Sequence, residues 1–190
     1  MARYKEYDRY EVLEKTVHLF WQKGYKSTSM ADIVHATGLN TASMYKEFGD
    51  KDGLFEESLE HYRQHIVPHR FQSLKDEPDF NGIKKFIQAV IDSSSSDDYK
   101  GCLLMNHMVQ KPSISLAAAQ KVDDFCLMIE ALLEVAICNA QASNDISPDK
   151  DPAALASYIL CCVQGLIMFG QRSIRKDKIS NLHEIILGAL

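Results

Sequence analysis

Apolar residues in this chain recur at spacings of three and four almost from end to end, and that periodicity restricts it to helices packed on helices. Residues 8–23 place Tyr10, Leu13, Val17 and Phe20 on one face, and Gly24 follows as a stop. A longer stripe joins Val122, Cys126, Ile129, Leu133 and Ala136 within a segment from Ser113 to roughly Gln141. Two more close the chain: Leu155, Ile159, Cys162, Leu166 and Phe169 in 153–171, then Ile179, Leu182, Ile186 and Ala189 in 177–190. No alternating strand pattern and no internal repeat is found, so an all-α chain of about nine helices is expected.

Between these long elements the punctuation is dense. Ser29 with Asp32 three residues later is a capping-box pattern that starts a helix running to about Thr37. Gly38 ends it, since glycine enters the left-handed conformation of a sharp turn without a steric cost. Asn40 can cap a second short helix from Thr41 to Phe48, and Asp50 a longer one that Pro68 ends. Residues 69–82 read as a connector, Ile83 to Ile91 as a helix, and 92–101 as a polar, serine-rich loop. A short helix from Cys102 to Val109 is closed by Pro112.

Two short helices around one glycine turn form a helix-turn-helix candidate. Ile33, Val34, Leu39, Met44 and Phe48 can lock the pair onto the first helix. The second helix then turns Thr41, Ala42, Ser43, Tyr45 and Lys46 outward: small residues that permit close approach, hydroxyls for phosphates, and one cation for a phosphate or a guanine edge. Thr28 and Ser29 stand at one helix start and Lys51 at another, where free amides and the helix dipole favour a phosphate. Bulk charge gives this reading no support. The chain carries a net charge of −5, and residues 1–52 hold eight Lys/Arg against eight Asp/Glu. The competing readings are a packed helical hairpin inside a larger bundle, or a helical adaptor that binds no DNA. No phosphate loop, dinucleotide fingerprint or nucleophile arrangement points to an enzyme.

The run "LFWQKGYKSTSMADIVHATGLNTASMYKEFGDKDGLF" resembles the DNA-binding domain of the TetR family of transcriptional regulators. The resemblance rests on Gly24-Tyr25 with Thr28-Ser29, on Asp32-Ile33, Gly38, Tyr45 and Phe48, and on Gly49, Lys51 and Leu54-Phe55. It implies phosphate contacts from Thr28, Thr41, Ser43, Tyr45 and Lys51, and groove contacts from Ala42 and Lys46. Glu47 departs from the pattern, because a carboxylate there repels the backbone; it is expected to pair with Lys46 or Lys51, or to face away. The expected division is a DNA-binding domain over 1–50 and a ligand-binding and dimerisation domain over 51–190.

By the same resemblance the last two helices form a homodimer seam, with Leu155, Ile159, Cys162, Leu166, Phe169, Ile179, Leu182 and Ile186 as its apolar positions. A twofold dimer places two recognition helices about 34–36 Å apart on a pseudo-palindromic operator. A small-molecule effector is expected in the second domain, walled by Phe86, Val90, Leu103, Leu104, Met105, Met108, Phe125, Met128 and Ile129, with Tyr62 and His65 as polar candidates. Binding there would shift the fourth helix and respace the recognition helices.

Two further clusters are weighed. His61 and His65 share a helix face at a spacing known from metal sites, but nothing nearby completes a ligand set, so neither metal nor cofactor is expected. Cys102 follows Lys100 at a helix start, which favours thiolate, and "GCL" is similar to a stretch in electrophile- or oxidant-responsive members of the family. The competing reading is an inert buried thiol. The five cysteines form no CxxC pair and suit a reducing cytoplasm. The charged N-terminus does not read as a secretory signal, and no uninterrupted apolar run suggests a membrane span.

Overall fold

A computed structural model describes residues 7–96, 99–171 and 181–190. Among them there are ten α-helices and no strand. The first four are α1 (Arg9–Lys23), α2 (Met30–Thr37), α3 (Thr41–Phe48) and α4 (Lys51–His61). Each starts where a side chain captures a free amide. Asp8 accepts from the Tyr10 amide, Ser29 from Asp32, Asn40 from Ser43 and Asp50 from Gly53. At Ser29 the exchange is reciprocal, since the Asp32 carboxylate also accepts from the Ser29 amide at 2.9 Å. Gly38 closes α2 at φ +73°, a backbone angle that a side chain resists, and so permits the tight turn into α3.

The segment from Tyr62 onward is wound differently from the expected single helix ending at Pro68. A wide π-type turn, Tyr62–Ile66, follows α4 directly, with the Val67 amide bonded back to the Tyr62 carbonyl at 3.0 Å. A 3₁₀ turn over Pro68–Phe71 leads into α5 (Gln72–Asp76), so the expected connector is largely helical. α6 spans Phe80–Ser94, longer than its apolar stripe, because Asp79 caps the amides of Asn81 and Gly82. α7 is only Leu103–Asn106, and a 3₁₀ turn, Met108–Ser113, carries the chain into α8 (Leu116–Ala142). α9 (Pro152–Gly170) and α10 (Leu182–Gly188) follow.

Helix α4 packs against α1 on one side and α8 on the other, so it belongs mechanically to both halves of the molecule. α8 and α9 pack along each other, and both also rest on α6. A Cβ at Gly170 would lie 2.7 Å from the Ser94 backbone carbonyl oxygen, so only glycine lets the end of α9 close onto α6. One apolar core runs through the chain, from Val17, Phe20 and Phe55 below to Ile87, Leu133 and Val163 above. α8 and α9 are each long and apolar enough to cross a bilayer, contrary to the expectation of no such run; here each turns one face into this core.

Candidate nucleic-acid interface

The helix-turn-helix rests on a tight apolar base. Ile33, Met44, Phe48, Leu54 and Phe55 are buried, and Phe20 meets Phe55 edge-on at 4.8 Å. With those side chains facing inward, the helical repeat leaves Thr41, Ala42, Tyr45 and Lys46 exposed on α3, with Ser43 half-buried at its flank. Tyr45 is 48% exposed, and its hydroxyl has no partner among the described residues.

The flanks are fixed by charge. Lys23 reaches the Asp32 carboxylate at 2.7 Å and ties α1 to the start of α2. That bond, followed by those from Ser29, holds the Asp32 carboxyl well below the usual carboxylate range. Lys51 lies 4.2 Å from the centre of the Tyr25 ring, and the Tyr25 hydroxyl donates to Asp52. Partial burial and then the Asp52 carboxylate push the Tyr25 phenol up to about 12.

Two expectations for this region change. Thr28 is only 1% exposed and its hydroxyl donates inward to the Gly24 carbonyl at 2.7 Å, so its side chain is spent on the turn and offers nothing to a phosphate. Glu47 pairs with neither Lys46 nor Lys51; it accepts from Arg9 Nε of α1 at 3.3 Å. Arg9 also bonds Glu57 of α4 and lies 5.4 Å from the Phe48 ring centre, so one guanidinium gathers α1, α3 and α4. Sequence spacing offers no sign of this pairing across 38 positions.

The profile of the bacterial regulatory proteins of the tetR family matches residues 12–58, which are α1, the helix-turn-helix and most of α4. Over almost its whole length the chain is also similar to the HTH-type transcriptional repressor ComR of Escherichia coli K12, at 30% identity, covering 95% of this chain and 88% of that protein. The chain belongs to the TetR family. It is a DNA-binding transcriptional regulator. The fold is shared with solved TetR-family structures. One is a cysteine mutant of the regulator CifR complexed with operator DNA, at TM-score 0.83 and 23% identity, covering 98% of this chain and 99% of that one. Another is a regulator from Cytophaga hutchinsonii, at TM-score 0.79 and 20% identity, with 98% of each chain covered.

The regulatory half of this TetR-family chain departs from the expected pocket. Phe86, Val90, Leu103, Leu104, Met105, Phe125 and Ile129 are buried among one another as core. Met108 and Met128 are half-buried against that core, and the Met108 sulfur lies 3.3 Å from Gln164 Nε2 and 3.7 Å from the Cys126 thiol. His65 is exposed and stands beside Tyr10 on the outer surface. Tyr62 is fully buried, edge-on to Trp21 at 5.1 Å. A cleft of about 570 Å³ lies elsewhere, where the end of α1 (Phe20 to Gly24) faces the 99–110 segment and the end of α9. No periodicity marks those residues, because they come from the ends of elements far apart in sequence.

His61 is buried, with Nε2 3.0 Å from the Glu14 carboxylate, and among the described residues no group of three metal-binding side chains forms. Cys102 is 2% exposed at the start of a four-residue helix, so both the access and the long helix dipole that a reactive thiol needs are missing. Cys138 and Cys161 are the exposed thiols.

The expected dimer stripe is turned largely into its own chain. Ile159, Leu166 and Ile186 are buried in their own chain, while Leu155, Cys162, Phe169 and Leu182 are half-buried against that same core. Ile179 lies outside the described residues. The face of α9 left open is the neighbouring row of Ala154, Tyr158, Cys161, Gly165 and Met168, with Ile185 exposed on α10. Three-four spacing marks the buried face of a helix but not which neighbour buries it, and α9 is apolar almost all the way round.

Proposed function

We propose that this regulator is a cytoplasmic repressor that holds a pseudo-palindromic operator as a homodimer and lets it go when a small effector binds. The observation that carries the reading is the outward face of α3, small and hydroxyl-bearing with one tyrosine and one lysine, on a base that capping and packing make rigid. Thr41, Ala42, Ser43, Tyr45 and Lys46 meet the major groove and its rims, while Ser29 and Lys51 meet phosphates at the helix starts. α4 divides DNA binding in 1–50 from effector binding and dimerisation in 51–190, and relays between them.

Dimerisation follows from affinity. One α3 with a single outward lysine neutralises few phosphates, so two copies on one twofold are needed. The open row on α9, from Ala154 to Met168, together with Ile185, supplies a face of small and apolar residues for a second copy. The test is selection of bound fragments from genomic DNA, followed by fluorescence anisotropy across a salt series. Enrichment of a palindrome and a logarithm of affinity that falls linearly with the logarithm of salt are expected. Binding without sequence enrichment overturns the reading.

A further inference from the structure

The cleft between the end of α1 and the 99–110 segment has features that core packing does not require. His107 lines this cleft, and its Nε2 is a buried polar atom with no hydrogen-bond partner among the described residues. His107 is 1% exposed, and its Nδ1 lies 2.8 Å from the Leu103 carbonyl. A carbonyl only accepts, so Nδ1 carries the proton and Nε2 is left as an acceptor with nothing to accept. Burial lowers the pKa of this imidazole, which keeps it in the neutral form with that acceptor.

Among the described residues no carboxylate lines the cleft, and its cations are Lys23 and Lys100. Lys23 is already committed to Asp32 at 2.7 Å, whereas the Lys100 ammonium has no ion pair among the described residues. Lys100 is held in place by its backbone: its carbonyl accepts from Trp21 Nε1 at 3.0 Å and from Asn106 Nδ2 at 2.8 Å. The walls are aromatic on the side of the DNA-binding half, from Phe20 and Trp21, with Met168 opposite.

We propose that this cleft is the effector site and that it takes a small aromatic hydroxy acid. The carboxylate faces Lys100, the ring lies against Trp21, and the hydroxyl donates to His107 Nε2. The volume, about 570 Å³, falls within the ordinary range for small-molecule sites. The His107 nitrogen is closed to water as the cleft stands, so engaging it requires the cleft to widen. One wall is the last turn of α1, just ahead of the Ser29 cap, so widening displaces the base of the helix-turn-helix directly. A ligand that pairs the stranded nitrogen gains in the widened form what it cannot gain in the closed one, and that difference is what shifts the population.

This inference rests on the repressor reading, and the chain carries its own reporter, since Trp21 is its one tryptophan. Trp21 emission is titrated with para-hydroxybenzoate, with benzoate, which lacks the donor, and with para-hydroxybenzyl alcohol, which lacks the charge. A saturable change is expected for the first, weaker by about tenfold or more for the other two. Lys100→Met should erase the preference for the acid over the alcohol, and His107→Phe the preference for the hydroxylated acid over benzoate. Should His107→Phe fail to fold, as its thermal melt would report, Lys100→Met carries the test alone. Unchanged emission with all three compounds, or affinities in the folded variants equal to wild type, overturns the site. Anisotropy on the selected operator is followed over the same concentrations. Saturation of Trp21 without release of DNA overturns its role as effector site. Failure to bind any palindrome before a compound is added refutes the repressor reading instead.

Discussion

Tyr45 offers the cleanest test of how α3 meets DNA, because folding places almost no demand on it. Its side chain is 48% exposed and its hydroxyl has no partner among the described residues, so removing that oxygen should change stability by no more than about 0.5 kcal/mol. In the proposed complex the same hydroxyl donates to a phosphate, and a hydrogen bond to a charged group is worth about 1.5–3 kcal/mol net. The twofold complex contains two such bonds, so Tyr45→Phe should cost about 3–6 kcal/mol in operator affinity. At about 1.4 kcal/mol per tenfold, the loss is about a hundredfold or more. Tyr45→Ala should lose further affinity through the missing ring contact, again with an unmoved melt. The assay is anisotropy on the selected operator, paired with thermal unfolding of the free protein. Tyr45→Phe binding within about twofold of wild type would refute the phosphate contact; a melt that falls in step would show that Tyr45 supports the fold instead.

Three further outcomes are expected. Gly38→Ala forces a side chain into a left-handed angle at φ +73° and should lower stability by about 1–2 kcal/mol in urea unfolding, weakening operator binding with it. Tyr25 favours the neutral phenol when folded, with a pKa raised to about 12, so its contribution is complete below the unfolded value of about 10 and is lost as pH rises from there to 12. Tyr25→Phe should therefore flatten the alkaline decline of unfolding free energy, and an unchanged decline would assign it to other groups. Cys161→Asp puts a charge in the middle of the open row on α9; sedimentation should show a folded monomer with weakened operator binding, while a stable dimer would move the seam elsewhere.

The helix-turn-helix was legible because its boundaries are written in local chemistry. Ser29, Asn40 and Asp50 each capture an amide three residues on, and Gly38 takes the one angle that suits it. The regulatory half was legible only as helices. Phe86, Phe125 and Ile129 have the spacing of a pocket wall and of a core alike, and packing made them core. The cleft draws on helix ends such as Trp21 and Gln110, where periodicity has already stopped. The one tryptophan, placed between Phe20 and Gln22 at the end of α1, is the sequence signal for it. Thr28 shows the same limit at one residue: its position is right for a phosphate, but its hydroxyl is turned to Gly24.

The wide turn at Tyr62–Ile66 sits where the chain leaves α4, and it holds one surplus residue in the winding ahead of the 3₁₀ turn at Pro68–Phe71. A straight α-helix transmits a push only by moving whole or by breaking. A rod with one surplus residue in its winding can pass that residue along by trading one carbonyl for the next, as the Val67 amide now holds the Tyr62 carbonyl at 3.0 Å. Each such trade turns only the residue that the surplus passes, by roughly 100°, slides it about 1.5 Å, and keeps the flanking segments in register with no net loss of hydrogen bonds. The junction can therefore re-face single side chains while the two halves keep their places.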